Sequence, residues 1–476
     1  MSKIQLTKGQ QKAFDGLKSF LHDSNLNVFI LKGYAGTGKT TLMSELIREM
    51  QTQNLEFKLL ASTGRAAKIL SNTTGVMAKT IHSEIYKFSD LNQDLETVVR
   101  KREETKVDET GQLMLNFELV SITEQDEDVN HYYIIDEASM VSDTVDKNAV
   151  QAMFGSGKLL TDLFKYDKSG KFIFVGDVCQ LPPITQAVSP ALSSEYITEN
   201  FGLQCQEMEL TEVVRQTSEI DIVNSAHKVR ELFYNPQTWK WAKFPMKGYK
   251  DIHIVSNQAT LMSQYIGQIK KSGFNSATLL CYSNKQCDIS TGLIRPSFGH
   301  LSPRLEKGDL LLVTQNNLIS GLMNGDLGVI EEVGVEEHRA GLTFLNVSIK
   351  ELFTQKVYSQ LLIADILYGN QTNLSQTQQK ELYIDYYIRM KAKGIKQNSP
   401  LFKHGMYTDP YLNALRTVYG YALTCHKAQG GEWDYVYLDI SKNVPVLEKP
   451  YVYQWIYTAM TRAKKGLYIV EDFWLM

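Results

Sequence analysis

The chain has 476 residues, enough for about three domains of ordinary size. Apolar residues make up 43% and charged residues 22%, which supplies several cores and excludes a wholly disordered chain. Lys+Arg number 50 and Asp+Glu 53, a net charge of -3, so charge predicts no polyanionic partner and any nucleic-acid contact must be a local groove.

The five cysteines (Cys179, Cys205, Cys281, Cys287 and Cys425) are few, odd in number and form no CxxC pair, which speaks against a disulfide framework or a zinc ribbon. No apolar run approaches the ~18 residues of a membrane span. The opening MSKIQLTKGQQ lacks the apolar core of a signal peptide. These features predict a soluble, cytoplasmic protein of a reducing compartment.

From residue 1 to about 85, short apolar runs alternate with helical patterns. Val28-Phe29-Ile30-Leu31 and Lys58-Leu59-Leu60-Ala61 read as buried strands, with Leu42, Leu46, Ile47 and Met50 marking one helix face between them. Strand–helix–strand units of this kind predict an α/β fold with a covered parallel sheet, which Tyr132–Ile135 and Phe172–Val175 continue. Residues 88–128 interrupt the rhythm: Val98–Lys106 and Leu113–Val120 flank Asp108-Glu109-Thr110-Gly111 like a hairpin with a polar tip. The acidic stretch Glu124, Asp126, Glu127, Asp128 reads as a solvated loop. A second series of strands follows residue 230, at Thr278–Cys281, Leu310–Val313, Tyr435–Leu438 and Leu467–Val470. Residues 335–412, richer in Lys, Gln and Tyr, read as an inserted small domain.

Gly33-Tyr34-Ala35-Gly36-Thr37-Gly38-Lys39-Thr40 fits GxxxxGK[ST] between a strand and a helix, the context a phosphate loop requires. Glycines let backbone N–H groups curl around phosphate oxygens, and the helix N-terminus that Thr40 and Thr41 open adds its positive dipole end. Lys39 would reach the β- and γ-phosphates of ATP, and the Thr40 hydroxyl would hold Mg²⁺. Asp136-Glu137 follows an apolar strand at its carboxyl end, where open α/β sheets bind ligands. Asp136 suits the Mg²⁺ partner and Glu137 the base that orients water. Thr7-Lys8-Gly9-Gln10 matches a capping box, and Gln10 is equally a candidate partner for an adenine edge.

GYAGTGKT, LLASTGRAA, IIDEASM, VGDVCQLPPI, LTEVVRQ, YALTCHKAQGGEWD and YTAMTRAKKG occur in this order. They resemble the ordered motifs of superfamily 1 helicases, in the 5′→3′ branch that includes RecD-like and phage Dda-like enzymes. The resemblance runs from Gln10 to about Tyr468 and implies a chain without the extra N-terminal domains of longer RecD-like proteins. It implies two RecA-like parallel-sheet motor domains, at residues 1–87 with 129–230 and at 231–334 with 413–476. Residues 88–128 would then be a pin that splits duplex, and 335–412 an SH3-like insert with an extra helix.

Residue by residue, the resemblance makes Gln180 a γ-phosphate sensor and Arg215 and Arg462 the arginines that reach the γ-phosphate from the first and second motor domains. Gly430 and Glu432 would shape the loop beside the nucleotide, and Glu432 would also meet its sugar. Thr63, Thr80, His82, Thr424 and His426 match segments that line the single-strand groove, where hydroxyls and imidazoles hold phosphates without reading bases. Each histidine also reads as a buried structural one. Trp433 and Tyr457 read as packing, and Arg389, Lys391, Lys393 and Lys396 as either a phosphate track or a solvated helix face.

The expected activity is ATP- and Mg²⁺-dependent 5′→3′ translocation on single-stranded DNA with duplex unwinding at single-strand/duplex junctions, by a monomer. The rivals are an RNA helicase or remodeller, and a non-unwinding nucleotide-dependent clamp. Lys39, Glu137, Arg215 and Arg462 argue against the clamp, which needs no water-activating carboxylate.

Overall fold

The computed structural model of the protein describes residues 6–105, 111–120, 131–145, 152–184, 186–214, 220–369, 371–441 and 444–476. Runs such as Val28–Gly33 and Lys171–Gly176 have no polar face to turn to water, and they lie inside a six-stranded sheet. Its order is Ala78–Thr80, Phe57–Ala61, Tyr132–Asp136, Lys171–Gly176, Val28–Gly33, Cys205–Leu210, and every pairing is parallel. The period of two along a strand divides the core. Phe29 and Leu31 pack with Leu17, Leu42 and Leu46 of helices Lys8–His22 and Lys39–Thr52. Val28 and Ile30 pack on the opposite face with Ile81, Leu160 and Phe164.

A second all-parallel sheet has the order Ile252–Val255, Ala463–Val470, Trp433–Asp439, Ala277–Cys281, Leu423–Thr424. Helices Ile220–Tyr234 and Tyr451–Met460 cover it, and its core takes in Tyr34, Cys179 and Leu181 from the first half of the chain.

The third sheet is antiparallel, in the order Val357–Ile363, Leu342–Glu351, Leu327–Arg339, Leu310–Val313, Thr417–Tyr419. The expected insert at 335–412 is therefore too short at both ends. Residue 335 falls inside the strand Leu327–Arg339, and Leu310–Val313 belongs to this sheet rather than to the second parallel one. Leu310–Val313 is buried throughout, so its sequence cannot be told from a parallel-sheet strand. Helices Ala364–Tyr368, Gln376–Ala392 and Pro400–Thr408 follow, three where one extra helix was expected.

The segment expected as a hairpin is built differently. Leu115–Leu119 pairs antiparallel with Tyr86–Leu91 and parallel with Ala152–Phe154, while Val98 and the residues after it lie in the helix Leu95–Thr105. Asp108–Thr110 and the acidic stretch Glu124–Asp128 lie outside the described residues. Leu91, Leu95 and Leu113 share a core with Phe344, Ile363 and Tyr383, and Arg102 pairs with Glu381 at 2.6 Å, so this segment is packed onto the antiparallel sheet and its helices. All five cysteines are free thiols. Among the described residues, no helix is long and apolar enough to cross a membrane.

Candidate nucleotide site and strand contacts

The loop after Val28–Gly33 turns through Gly36 (φ 81°) and Gly38 (φ 79°), left-handed positions that favour glycine. A Cβ on Gly38 would also sit 2.3 Å from Gln10 Nε2. The Thr37 hydroxyl donates to Tyr34 O at 2.8 Å and closes the loop on itself. Lys39 Nζ donates to Gly33 O (2.7 Å) and Tyr34 O (3.1 Å), which holds the ammonium across the loop's mouth. Helix Lys39–Thr52 starts without a side-chain cap, so the N–H groups of its first turn, Thr40 and Thr41 included, are available to an anion. Gln10 serves two partners. Its Oε1 accepts the Thr7 N–H at 3.0 Å in the expected capping box, and its Nε2 donates to Thr37 O at 3.0 Å.

Tyr132–Asp136 ends beside this loop. Asp136 Oδ1 accepts the Glu137 N–H at 2.9 Å, and Glu137 takes a left-handed conformation (φ 51°). Burial and the neighbouring Glu137 push the Asp136 carboxyl up to about 7, against the opposing pull of Lys39. Gln180 is buried, and no described residue gives its Oε1 a hydrogen-bond partner.

The second half enters through the helix Tyr451–Met460. Tyr457 OH donates to Asp177 Oδ2 at 2.7 Å and accepts the Ala35 N–H at 3.1 Å. Thr458 Oγ1 accepts the Leu181 N–H at 2.8 Å, and Gln454 Nε2 donates to the carbonyls of Val178 and Gln180 at 3.2 and 3.3 Å. Spacing of three and four residues puts these side chains on one helix face, aimed at the loop that carries Gln180. Arg462 follows, buried, held by Thr458 O (3.1 Å) and Gly431 O (3.3 Å).

One cavity of about 860 Å³ is lined by Gln10, Ala35, Gly36, Gly38, Lys39, Thr40, Thr41, Asp136, Glu137, Gln180, Gly430, Glu432 and Arg462. Gly33 and Thr37 lie behind it as the loop's frame, and Arg215 lies outside the described residues. Arg65, which sequence reasoning missed, lines the cavity too. Its guanidinium stacks 4.7 Å from the Trp433 ring and donates to Gly325 O at 3.3 Å. Burial and the nearby Arg462 hold its pKa down at about 10. Tyr457, read as packing, is buried in the core of the second sheet and also makes the two hydrogen bonds above, which sequence reasoning did not foresee. Each stands inside a quoted motif, which is the signal that could have found it.

The strand-contact candidates stand apart from this cavity, at carboxyl ends of parallel strands. Thr63 caps helix Gly64–Thr74 by accepting the Ala66 N–H at 3.2 Å, and Thr80 caps Ile81–Ile85 by accepting the Ser83 N–H at 3.1 Å. Thr424 ends Leu423–Thr424, and His426 Nε2 lies 3.5 Å from Tyr451 OH. The His82 ring packs against Phe154 (5.2 Å) and Tyr86 (5.8 Å), and burial holds its pKa down at about 4. Of the basic stretch at 389–396, Lys393 and Lys396 are exposed and the other two are paired. Arg389 pairs with Asp385 (2.8 Å) and Asp409, and Lys391 pairs with Glu96 (3.4 Å).

Residues 5–231 match the AAA domain family, and residues 419–470 match the UvrD-like helicase C-terminal domain. An uncharacterised protein of Methanocaldococcus jannaschii is 26% identical over 94% of this chain, which spans 36% of that protein. The ATP-dependent DNA helicase Dda of enterobacteria phage T4 is 29% identical over 49% of this chain and 45% of its own length. The crystal structure of a Bacteroides Pif1 helicase with ADP-AlF3 and ssDNA has the same mixed α/β fold with parallel sheets. Its TM-score is 0.50 at 17% identity, over 99% of this chain and 93% of that one.

Proposed function

We propose, for a chain related to the superfamily 1 helicases named Pif1, RecD and Dda, that it is an ATP-driven DNA helicase moving 5′→3′ on single-stranded DNA. The observation that carries this reading is the cavity in which Lys39, Asp136, Glu137 and Gln180, set around the first parallel sheet, face Arg462 from the second. Phosphoryl transfer spreads charge over equatorial oxygens, and a guanidinium supplied from the opposite half completes the site only when the two halves close. Opening after hydrolysis is then the stroke.

In this reading the N–H groups of the loop and of the first turn of Lys39–Thr52 cradle the phosphates, Gln10 meets the adenine edge, and Glu137 orients the attacking water. Gln180 and Arg215 sense the γ-phosphate, and Glu432 meets the sugar. Thr40 and Asp136 would hold Mg²⁺, which when bound offsets charge on the phosphate oxygens. The buried Asp136 carboxyl beside Glu137, pushed up by burial and by that neighbour, fits a cation. The two parallel-sheet units act as RecA-like motor domains. The segment 88–128 serves as the pin at a single-strand/duplex junction, braced by an SH3-like antiparallel sheet.

ATP hydrolysis with and without single-stranded DNA, on wild type and Glu137→Gln, tests the reading. Strong DNA stimulation is expected, falling at least about 100-fold in the variant. Hydrolysis indifferent to DNA, or none, overturns it, and stimulation by RNA alone moves the substrate. Duplexes with 5′ or 3′ tails then decide direction.

A further inference from the structure

The segment between helix Ile220–Tyr234 and strand Ile252–Val255 interleaves aromatic and basic residues: Trp239, Lys240, Trp241, Lys243. Ala242, Phe244 and Met246 are buried, and Met246 N–H donates to Met476 O at 2.9 Å. This anchors the segment beside the residues that follow Ala463–Val470, at the carboxyl end of the second parallel sheet. Trp239 is turned outward and is 45% exposed. Trp241 meets Phe473 edge-on at 5.4 Å, and Phe473 is also exposed.

The cations beside these rings keep their charge on offer. Lys449 Nζ donates to Gln237 O at 2.8 Å and to Trp239 O, neutral acceptors that position the ammonium without cancelling it. Lys243 Nζ donates to Phe473 O and lies 5.2 Å over the Phe473 ring. Of the acids nearby, Glu471 pairs with Lys247 at 2.6 Å and Asp472 accepts the Phe473 N–H at 2.7 Å. Lys449 stands two residues before Tyr451, whose hydroxyl lies 3.5 Å from His426 Nε2. An exposed indole beside uncancelled cations suits a polyanion whose units carry flat rings.

We propose that Trp239, with Lys449 and Lys243, is a stacking platform that receives a base and the adjoining phosphates of single-stranded nucleic acid beyond the His426 end of the groove. The proposal rests on the helicase reading above and adds a contact that neither the motifs nor the relatives assign.

Anisotropy of labelled oligo(dT) of increasing length on the full chain tests it, with Trp239→Ala, Trp239→Phe and Lys449→Met. Trp239→Ala is expected to weaken binding of long oligomers about tenfold and leave short ones unaffected, while Trp239→Phe keeps most of the affinity. Lys449→Met is expected to lower the salt dependence of log K by about 0.7. Wild-type affinity and salt slope in the variants at every length overturn the platform, while DNA-stimulated hydrolysis by the wild type would leave the helicase reading standing. A wild type that binds no oligomer overturns both.

Discussion

The Tyr457 hydroxyl joins two loops of the first half from a helix of the second, accepting from the Ala35 N–H and donating to the Asp177 carboxylate. Asp177 is 1% exposed, and burial pushes its pKa up, so its charged form leans on donors such as Tyr457 and the Cys179 N–H. Tyr457→Phe keeps the ring and removes one donor and one acceptor. A buried partner left without its hydrogen bond costs about 1–3 kcal/mol. The expected outcome is ATP turnover lowered roughly tenfold, with KM for ATP changed less, because the loss falls on the geometry that links Arg462 to the Gln180 loop. Steady-state kinetics with and without single-stranded DNA check it, alongside a urea midpoint to separate misfolding from mispositioning. Turnover equal to wild type would return Tyr457 to packing alone. Tyr457 reads as core because it lies in a helix whose every residue from Val452 to Met460 is buried, and its two hydrogen bonds reach partners 280 and 422 positions away.

Helix Gly64–Thr74 connects three neighbourhoods: Thr63 at its N-terminus, the nucleotide cavity at Arg65 and Ala66, and the antiparallel sheet at Lys68. Lys68 Nζ lies 3.1 Å from Asp326 and 3.4 Å from Glu351, carboxylates that are almost fully buried. Lys68→Met leaves both without that cation, and breaking a buried pair from one side costs about 3 kcal/mol. Urea unfolding should show this loss, and Lys68→Met with Asp326→Asn should recover part of it. No recovery in the double variant would mean that the pair is not coupled. Elements of this kind mark the limit of what could be read. Val28–Gly33 and Tyr132–Asp136 were legible because a strand covered on both faces is apolar throughout. Leu327–Arg339 was not, because its outer part exposes Glu332, Val335, Glu336 and His338 and shows no clean apolar face, although the strand it pairs with is largely buried. Leu95–Thr105 carries adjacent valines that favour a strand, yet it is a helix whose Leu95 shares a core with Tyr383 of Gln376–Ala392 and whose Arg102 bonds Glu381, 279 positions on. The candidate nucleotide site was easier to propose from sequence than the fold around it, because a glycine-rich loop and a carboxylate pair are local in sequence. The partnership of Arg65 with Trp433 spans both halves and leaves no local trace.

At the scale of the whole chain, the core of the second sheet does not stop at the cleft: Tyr34, Cys179 and Leu181 of the first half are buried in it, with Cys179 and Leu181 at 0% exposure. Burying such side chains fully stabilises by roughly 1.5–3 kcal/mol each, so neither half can unfold without stripping cover from the other. Binding at the phosphate loop should therefore stabilise both halves together. The distribution of tryptophan makes this measurable, because all five (Trp239, Trp241, Trp433, Trp455 and Trp474) belong to the second half. Tryptophan emission reports that half through four rings and its contact with the first half through Trp433, which stacks on Arg65, while far-ultraviolet circular dichroism reports both sheets. The expected result is one denaturant midpoint by both probes, moved upward equally by a non-hydrolysable ATP analogue with Mg²⁺, by about 2.7 kcal/mol at a hundred times its Kd. Lys39→Ala should abolish that increment in the emission trace although it lies in the half that has no tryptophan. Two separated midpoints, or an increment seen by circular dichroism and absent from emission, would mean that the halves unfold independently and that closure on nucleotide is not transmitted through this core.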